Sequence, residues 1–494
     1  MKTAAQVLDG VGLKQPLPAP ARALMVNGIE YDSRRIESGD IFFAFSGVNV
    51  DGRKFADVAA AQGAVAIVSE LPPPPQFSGA TWIEVEHGRR ALALASRNLY
   101  GDLSRELELT GITGTNGKTT TAYLVDALMR AGGRKTALVG TIEYRVAGEP
   151  RRAPNTTPES LDFYRLFIEL QAKQGQAMTA EISSHALALG RVRGLTFHTA
   201  VMTNVTRDHL DFHQTMDAYF DAKCELFRGQ DAPPPHFAVL NRDDEWSARV
   251  PVSTETRAYW YGLDKRADVR AEGVKESFDG LRFQLVSPDA TFEVKSKLVG
   301  RINVSNILAA CATGLSYGLN PSEITAGLAD CVAVPGRFER VDAGQPFLVA
   351  VDYAHTDDAL RNVIAVARAM QPRRVLTLFG CGGDRDRAKR PLMGVAASEG
   401  SDLVVLTSDN PRSEDPLAIM NDALVGMSRY DTKYLLEPDR AKAIRAILEA
   451  AQPGDVVILA GKGHETYQIF RDQTIHFDDR EVARAVLGEM GYAR

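Results

Sequence analysis

The sequence predicts an α/β protein of three domains: an N-terminal α/β domain, a central phosphate-loop domain with a mainly parallel sheet, and a C-terminal domain built as a further βαβ series. Three observations predict it. At 494 residues the chain has room for about three domains of ~150 residues each. From about residue 105 onward, short apolar runs alternate with segments of helical periodicity, the pattern of parallel strands joined by crossover helices. Finally, Leu109–Thr121, L-T-G-I-T-G-T-N-G-K-T-T-T, reads as strand, glycine-rich turn and helix start. That order aims backbone N–H groups, a helix dipole and a lysine at a polyphosphate.

Residues 1–104 precede this loop and read as a unit of their own. Ile41–Phe45 is a short apolar strand, Ala56–Gln62 is helix-like, Ala64–Val68 is a second buried strand, and Pro72–Pro75 forms an extended loop. Ser33 and Arg34 follow a strand, where the plain reading is a polar turn with a salt-bridging arginine. Residues 105–335 form the second unit. The helical segment Tyr123–Met129 follows the loop, then come strand Thr136–Val139, helix Leu161–Lys173, strand Ala177–Ile182 ending near Glu181, and strand Thr199–Val205. Composition breaks at Val334-Pro335-Gly336. Residues 336–494 run as strands Phe347–Val351, Val375–Phe379, Leu403–Thr407 and Val456–Ala460, interleaved with helices Asp357–Met370, Arg390–Ser398, Pro416–Met427 and Arg440–Glu449. The loops after those strands, D-Y-A-H-T, G-C-G-G-D-R, S-D-N-P-R and G-K-G-H-E, converge where open α/β sheets bind ligands.

Composition excludes several classes. A formal charge of −6 argues against a broad nucleic-acid surface. Four cysteines with no C-x-x-C pair predict reduced thiols and a cytoplasmic setting. No 18-residue apolar run and no signal-peptide core are present, so membrane insertion and secretion are not expected.

The loop implies ATP, and ATP implies magnesium held by hard oxygen ligands. Thr119 supplies a hydroxyl, and Glu181, at a strand end, is the expected second ligand; the alternative is a solvated loop carboxylate. His209 and His213 stand four apart, but without the glutamate of a metalloprotease helix, so zinc is not expected. His209 suits the edge of a magnesium site and His213 a structural or capping role. From periodicity Lys223 reads as a snorkelling surface lysine. Asp384–Arg387 and Asp409–Arg412 mix carboxylate and guanidinium, which suits a zwitterion, or else are solvated salt-bridged turns.

The order T-G-T-N-G-K-T-T, E-I-S-S-H, T-N-V-T-R-D-H-L-D-F-H, A-K-C-E-L-F, G-R-I-N-V-S-N, P-G-R-F-E, D-Y-A-H-T, G-C-G-G-D-R-D-R-A-K-R-P-L-M, D-N-P-R closely resembles the Mur ligases of peptidoglycan synthesis, over essentially the whole chain. The resemblance implies ATP-dependent amide ligation through an acyl phosphate. The third residue, meso-diaminopimelate, would be added to the D-glutamyl γ-carboxylate of UDP-MurNAc-L-Ala-D-Glu, by a monomer with a UDP-binding N-terminal domain, a central ATPase domain and a Rossmann-like C-terminal domain that closes on hinges near 104 and 335. It implies that Gly114, Thr115, Asn116, Gly117, Lys118, Thr119 and Thr120 hold ATP with Asn306, Arg337 and Asp352. Glu181, His209 and Thr119 would serve magnesium, and Lys223 would be carbamylated, an anion rather than a surface cation. Ser33, Asn155, Thr156, Thr157, Ser183 and Arg191 would contact the UDP-dipeptide. Arg385, Asp409, Asn410, Pro411, Arg412, Gly461 and Glu465 would form the diaminopimelate pocket. In this family D-N-P-R accompanies diaminopimelate, whose extra carboxylate Arg412 can pair.

Three positions depart from the family pattern: Val48-Asn49-Val50 replaces His-Gln-Ala, Leu189 replaces a glutamine, and Asp357 a proline. The competing readings are a lysine-adding relative, a folylpolyglutamate synthetase and, in a different class, an ATP-gated binding switch.

Overall fold

The computed structural model describes residues 1–45, 51–277, 280–331 and 333–492; Val48-Asn49-Val50 lies outside the described residues. The chain divides into two compact units. One comprises Met1–Arg270, Val286–Ala290 and Asn306–Gly327, the other Ala271–Leu285, Thr291–Ser305 and Leu328–Arg494.

The first unit holds a four-stranded, all-parallel sheet, Gly28–Glu30, Asp40–Phe43, Ala66–Ser69 and Thr81–Glu84 in that order. Helix Gly88–Tyr100 packs Leu92 and Ala95 against the apolar face of this sheet. The second sheet is larger. Its strands here run Glu149–Arg152, Glu143–Val146, Thr136–Val139, Ala177–Glu181, Glu108–Thr113, Thr199–Met202, Phe237–Asn241, Arg257–Gly262. From Thr136–Val139 onward every pair is parallel. The first two strands form an antiparallel hairpin whose turn residues, Ala147 and Gly148, both have positive φ. That is the primed turn that matches strand twist, and an alanine in it left no turn signal to read. The phosphate-loop strand lies between Ala177–Glu181 and Thr199–Met202, so the carboxyl ends of three neighbouring parallel strands deliver the loop, Glu181 and the segment Thr203–His209 to one place.

In the second unit a six-stranded sheet runs Glu339–Arg340, Leu348–Asp352, Val456–Ala460, Val375–Cys381, Leu403–Ser408, Lys433–Leu436, parallel except for its first pair. Apolar residues of helices Asp357–Ala369, Lys389–Gly400 and Pro416–Met427 fill one face, and those of Arg440–Ala450 and Asp479–Glu489 the other. This is the doubly wound arrangement expected of a Rossmann-like domain. Thr356 caps helix Asp357–Ala369, so Asp357 takes the first helical position, where a proline or an acid is equally at home. Among the described residues no helix is long and apolar enough to cross a membrane.

Candidate active site

The phosphate loop is shaped by what lies behind it. Gly114 has φ +143°, and a Cβ there would fall 1.8 Å from the Thr203 hydroxyl. Gly117 has φ +87°, and its Cβ would fall 2.4 Å from Asn306 Oδ1. Only glycine fits either position. Gly111, in the strand before the loop, serves packing: a Cβ there would meet the Phe197 ring at 2.7 Å. The loop is tied to the neighbouring strand end. Thr115 N donates to Asn204 O (2.8 Å), Asn116 N to Asn204 Oδ1 (3.0 Å), and the Thr203 hydroxyl to Asn116 O (2.7 Å). Helix Lys118–Ala131 then starts with no side chain capping its first turn, and Lys118 Nζ is held over the loop by the carbonyls of Gly114 and Thr115, each at 2.9 Å.

Glu181 is 1% exposed, not a solvated loop carboxylate. Its Oε2 accepts from the Thr119 hydroxyl (2.9 Å) and the Thr141 hydroxyl (3.1 Å), and its Oε1 from Thr141 N (2.9 Å). The surface role that periodicity suggests for Lys223 is overturned: the residue is 1% exposed, on the inner face of helix Met216–Arg228. Its Nζ donates to Gly114 O at 3.0 Å and sits 4.2 Å over the Tyr219 ring. Burial, reinforced by the charge of Lys118, holds the amine well below the usual lysine range.

His209 sits in a left-handed conformation (φ 52°) just before the short helix Leu210–His213. Its side chain is 47% exposed, yet the protein atoms crowding the ring lower its pKa, with His185, Lys118 and Lys223 adding and Asp208 opposing. His185 packs edge-on against His209, with ring centroids 4.7 Å apart. His213 takes the structural role expected of it, buried with Nε2 3.0 Å from the Ser184 hydroxyl.

Beside Glu181 a polar group gathers most of the residues assigned to the UDP-dipeptide. Thr157 Oγ1 donates to Glu181 O (2.8 Å) and accepts from Ser183 N (3.0 Å), and Arg191 Nη1 donates to Thr157 O (3.0 Å). Thr156 and Thr141 hydroxyls meet at 3.1 Å, and Tyr144 holds Asn155 O at 2.6 Å. Ser33 is buried in its own turn, and among the described residues no hydrogen bond joins it to this group. Arg34 is a plain surface residue, 86% exposed and paired with Asp32.

The second unit holds two polar clusters of its own. Asp352 accepts from Phe338 N (2.7 Å) and Ala354 N (2.8 Å), and burial raises its pKa against the pull of Arg337. Arg337 lies over the Tyr353 ring, 5.1 Å from its centroid. At the ends of the strands Leu403–Ser408 and Val456–Ala460, Asn410 Nδ2 donates to Glu465 Oε2 (2.9 Å). A Cβ on Gly461 would lie 2.9 Å from Asp409 Oδ2. Arg412, at φ 52°, donates to Gly383 O (2.7 Å). A Cβ on Gly382 would touch both Arg412 Nη1 and Arg385 Cγ, so the two guanidinium-bearing side chains flank one backbone position.

Family profiles match along the chain: "Mur ligase family, catalytic domain" at residues 25–100, "Mur ligase middle domain" at 112–314 and "Mur ligase, glutamate ligase domain" at 336–463. The chain is 61% identical over 487 residues to the UDP-N-acetylmuramoyl-L-alanyl-D-glutamate–2,6-diaminopimelate ligase of Solibacter usitatus, covering 99% of this chain and 98% of that protein. It belongs to the Mur ligase family. The same-named protein of Geobacillus kaustophilus is 46% identical over 467 residues, covering 94% and 95%. A solved structure of a ligase of that name is 33% identical and superposes with a TM-score of 0.69, with full coverage of both chains.

Some residues of this Mur ligase's site escaped the sequence reading. Thr141 supplies two hydrogen bonds to the Glu181 carboxylate and lies in no motif. Lys462 lies within G-K-G-H-E; a lysine between two glycines, beyond a buried strand, was the signal available. His185 closes E-I-S-S-H, and nothing in its spacing shows that it stacks on His209.

Proposed function

We propose that this Mur ligase joins meso-diaminopimelate to the D-glutamyl γ-carboxylate of UDP-MurNAc-L-Ala-D-Glu at the expense of ATP. The observation that carries the reading is the Asp409–Arg412 loop. It combines Asp409, Asn410 and Arg412 with Glu465 in one cluster, where the Asp409 and Glu465 carboxylates, each giving one oxygen to Lys462, keep a second oxygen for an ammonium beside a donor fork for a carboxylate. Diaminopimelate carries both groups at its distal end, whereas lysine carries only the ammonium.

The remaining residues divide by role. Within Gly114–Thr120, Lys118 and the backbone N–H groups at the start of helix Lys118–Ala131 hold the ATP phosphates, while Thr115 N and Asn116 N stay on Asn204; Asn306 against Gly117 fixes the loop, and Arg337 and Asp352 read the nucleotide. Asn155, Thr156, Thr157, Ser183, Arg191 and Ser33 hold the UDP-dipeptide. The pairing of Thr157 with Glu181 O keeps these residues adjacent to the phosphate loop. The donor set fits magnesium: the Thr119 hydroxyl touches the Glu181 carboxylate, both hard oxygen donors, and His209 lies within electrostatic reach of Lys118 and Lys223. A buried lysine held toward its neutral form is the nucleophile that carbon dioxide needs to make a carbamate, so Lys223 would become a third oxygen ligand. Magnesium there would neutralise phosphate charge and polarise the γ-phosphoryl group. The γ-carboxylate attacks that phosphoryl group, giving an acyl phosphate and ADP. The diaminopimelate amine then attacks the acyl carbon, and the tetrahedral intermediate expels phosphate, leaving the amide. Lys118 stabilises charge on the transferring group.

Domains at 1–104, 105–335 and 336–494 suit this division, each span holding one of the large sheets. The test is phosphate release from ATP with UDP-MurNAc-L-Ala-D-Glu plus diaminopimelate, lysine or neither. Release with diaminopimelate alone is expected; equal release without any amino acid would favour a nucleotide switch, and preference for lysine a lysine-adding enzyme.

A further inference from the structure

Lys462 follows the strand Val456–Ala460 and stands between two glycines of positive φ, Gly461 (113°) and Gly463 (52°). Its side chain is 0% exposed. An ammonium has three N–H donors, and here three acceptors surround it: Asp409 Oδ1 at 3.3 Å, Asn410 Oδ1 at 3.1 Å and Glu465 Oε2 at 3.3 Å. It is therefore fully committed to protein groups, and those groups come from two separate loops.

The contact with Asn410 carries the most information. Asn410 Oδ1 accepts from Lys462 and from Ile469 N (3.0 Å), while its Nδ2 donates to Glu465 Oε2 (2.9 Å). These contacts fix which way the amide faces. Without Lys462 the Asn410 oxygen keeps one donor instead of two. Asp409 and Glu465, both directed at the same small volume, lose the cation that separates their charges. A pocket so altered carries one more net negative charge. It should favour a distal end that is purely cationic over one that is zwitterionic.

We propose that Lys462 is a positioning residue that sets amino-acid selectivity: by holding Asp409, Asn410 and Glu465 in one arrangement, it makes their pocket fit a zwitterionic distal end rather than an ammonium alone. The proposal rests on the reading that the Asp409–Arg412 loop takes the amino-acid substrate.

The experiment is steady-state phosphate release by the full-length wild type, Lys462→Met and Lys462→Arg, each with diaminopimelate and with lysine varied, and with ATP varied. Thermal unfolding is measured in parallel. Wild-type turnover with diaminopimelate checks the underlying reading; its absence would refute that reading and leave no selectivity for Lys462 to set. Given wild-type turnover, Lys462→Met should raise the diaminopimelate KM at least tenfold and leave the ATP KM within twofold. The ratio of kcat/KM for diaminopimelate over lysine should fall by a similar factor, and Lys462→Arg should recover part of it. A folded Lys462→Met with an unchanged ratio, or one whose KM values for ATP and diaminopimelate rise together, overturns the proposal. If Lys462→Met is insoluble, Lys462→Arg decides alone. A guanidinium fork cannot send three converging donors to these acceptors, so the diaminopimelate KM should still rise about threefold with the ATP KM unmoved. No change in that ratio overturns the proposal equally.

Discussion

Arg440→Met should be among the most damaging substitutions in the second unit. Arg440 and Asp479 are both fully buried, and the guanidinium makes a two-point contact, Nε to Oδ1 at 2.8 Å and Nη2 to Oδ2 at 2.6 Å. Nη2 also donates to Ala460 O at 3.0 Å, and Nη1 lies 3.4 Å from Ser408 O. Removing the arginine leaves a carboxylate buried with its cation gone, which costs about 3–5 kcal/mol. That is a large share of the ~5–15 kcal/mol that keeps a domain folded. At roughly 2–4 °C per kcal/mol for a unit of this size, the midpoint should fall by about 6–20 °C. The double variant Arg440→Met/Asp479→Leu should regain most of the loss, because an apolar pair of similar volume carries no stranded charge. Urea and thermal unfolding of the wild type, both single variants and the double variant measure the cycle. A loss below about 1 kcal/mol for Arg440→Met, or a double variant no better than the single, would refute the reasoning. Ser408 and Ala460 immediately precede Asp409 and Gly461, so the surviving protein should also bind the amino acid poorly.

Three further outcomes are expected. Lys223→Ala should be inactive in the phosphate-release assay and partly restored by acetate or bicarbonate, small anions able to occupy the space of a carbamate; an active variant without them would remove Lys223 from the chemistry. Arg412→Lys should raise the diaminopimelate KM by about thirtyfold, the equivalent of ~2 kcal/mol for the charge-assisted hydrogen bond that an ammonium in place of the guanidinium fork cannot make, with little change for ATP; equal effects on both would show that this loop does not read the amino acid. His213, whose pKa is lowered to about 4 by burial first and then by His185, Lys223 and His209, takes up its proton near pH 6.5 only when unfolded. It therefore costs stability as pH falls from about 6.5 to 4, by at most about 3 kcal/mol. His213→Gln should flatten the stability curve across that window, and an unchanged slope between pH 7 and 4 would exclude His213 as its source.

The strands and helices that the sequence marked were legible because apolar runs and helical stripes are local signals, whereas helices Gly88–Tyr100 and Asp479–Glu489 and strands Phe237–Asn241 and Arg257–Gly262 were not picked out. Candidate site residues could be named where a residue type sits beside its own motif, as with Gly114–Thr120 and Asp409–Arg412. Lys223 shows how a prior can mislead. Tyr219, Phe220, Leu226 and Phe227 are buried at four before, three before, three after and four after it, so the helical stripe already placed the lysine inside. The general habit of lysines to reach water pointed the other way. Lys462, Arg440 and Asp479 were out of reach for a different reason: each is buried only because a partner distant in sequence compensates its charge, and partners of that kind leave no periodic trace. The hairpin at Glu143–Arg152 was hidden because Ala147 occupies a turn position usually filled by asparagine, aspartate or glycine.

The stitching of the phosphate loop to Thr203 and Asn204 has a thermodynamic consequence. A glycine-rich loop standing alone would sample many conformations and would lose that freedom whenever a nucleotide bound. Here Thr115 and Asn116 are pinned by a neighbouring strand end, and Gly114 and Gly117 are enclosed by Thr203 and Asn306. The ordering entropy is thus met during folding, and affinity for ATP need not be spent on it. The same rigidity ties the loop to its surroundings: transplanted without the Thr203–Asn204 segment and Asn306, the T-G-T-N-G-K-T-T sequence would keep its chemistry and lose its shape.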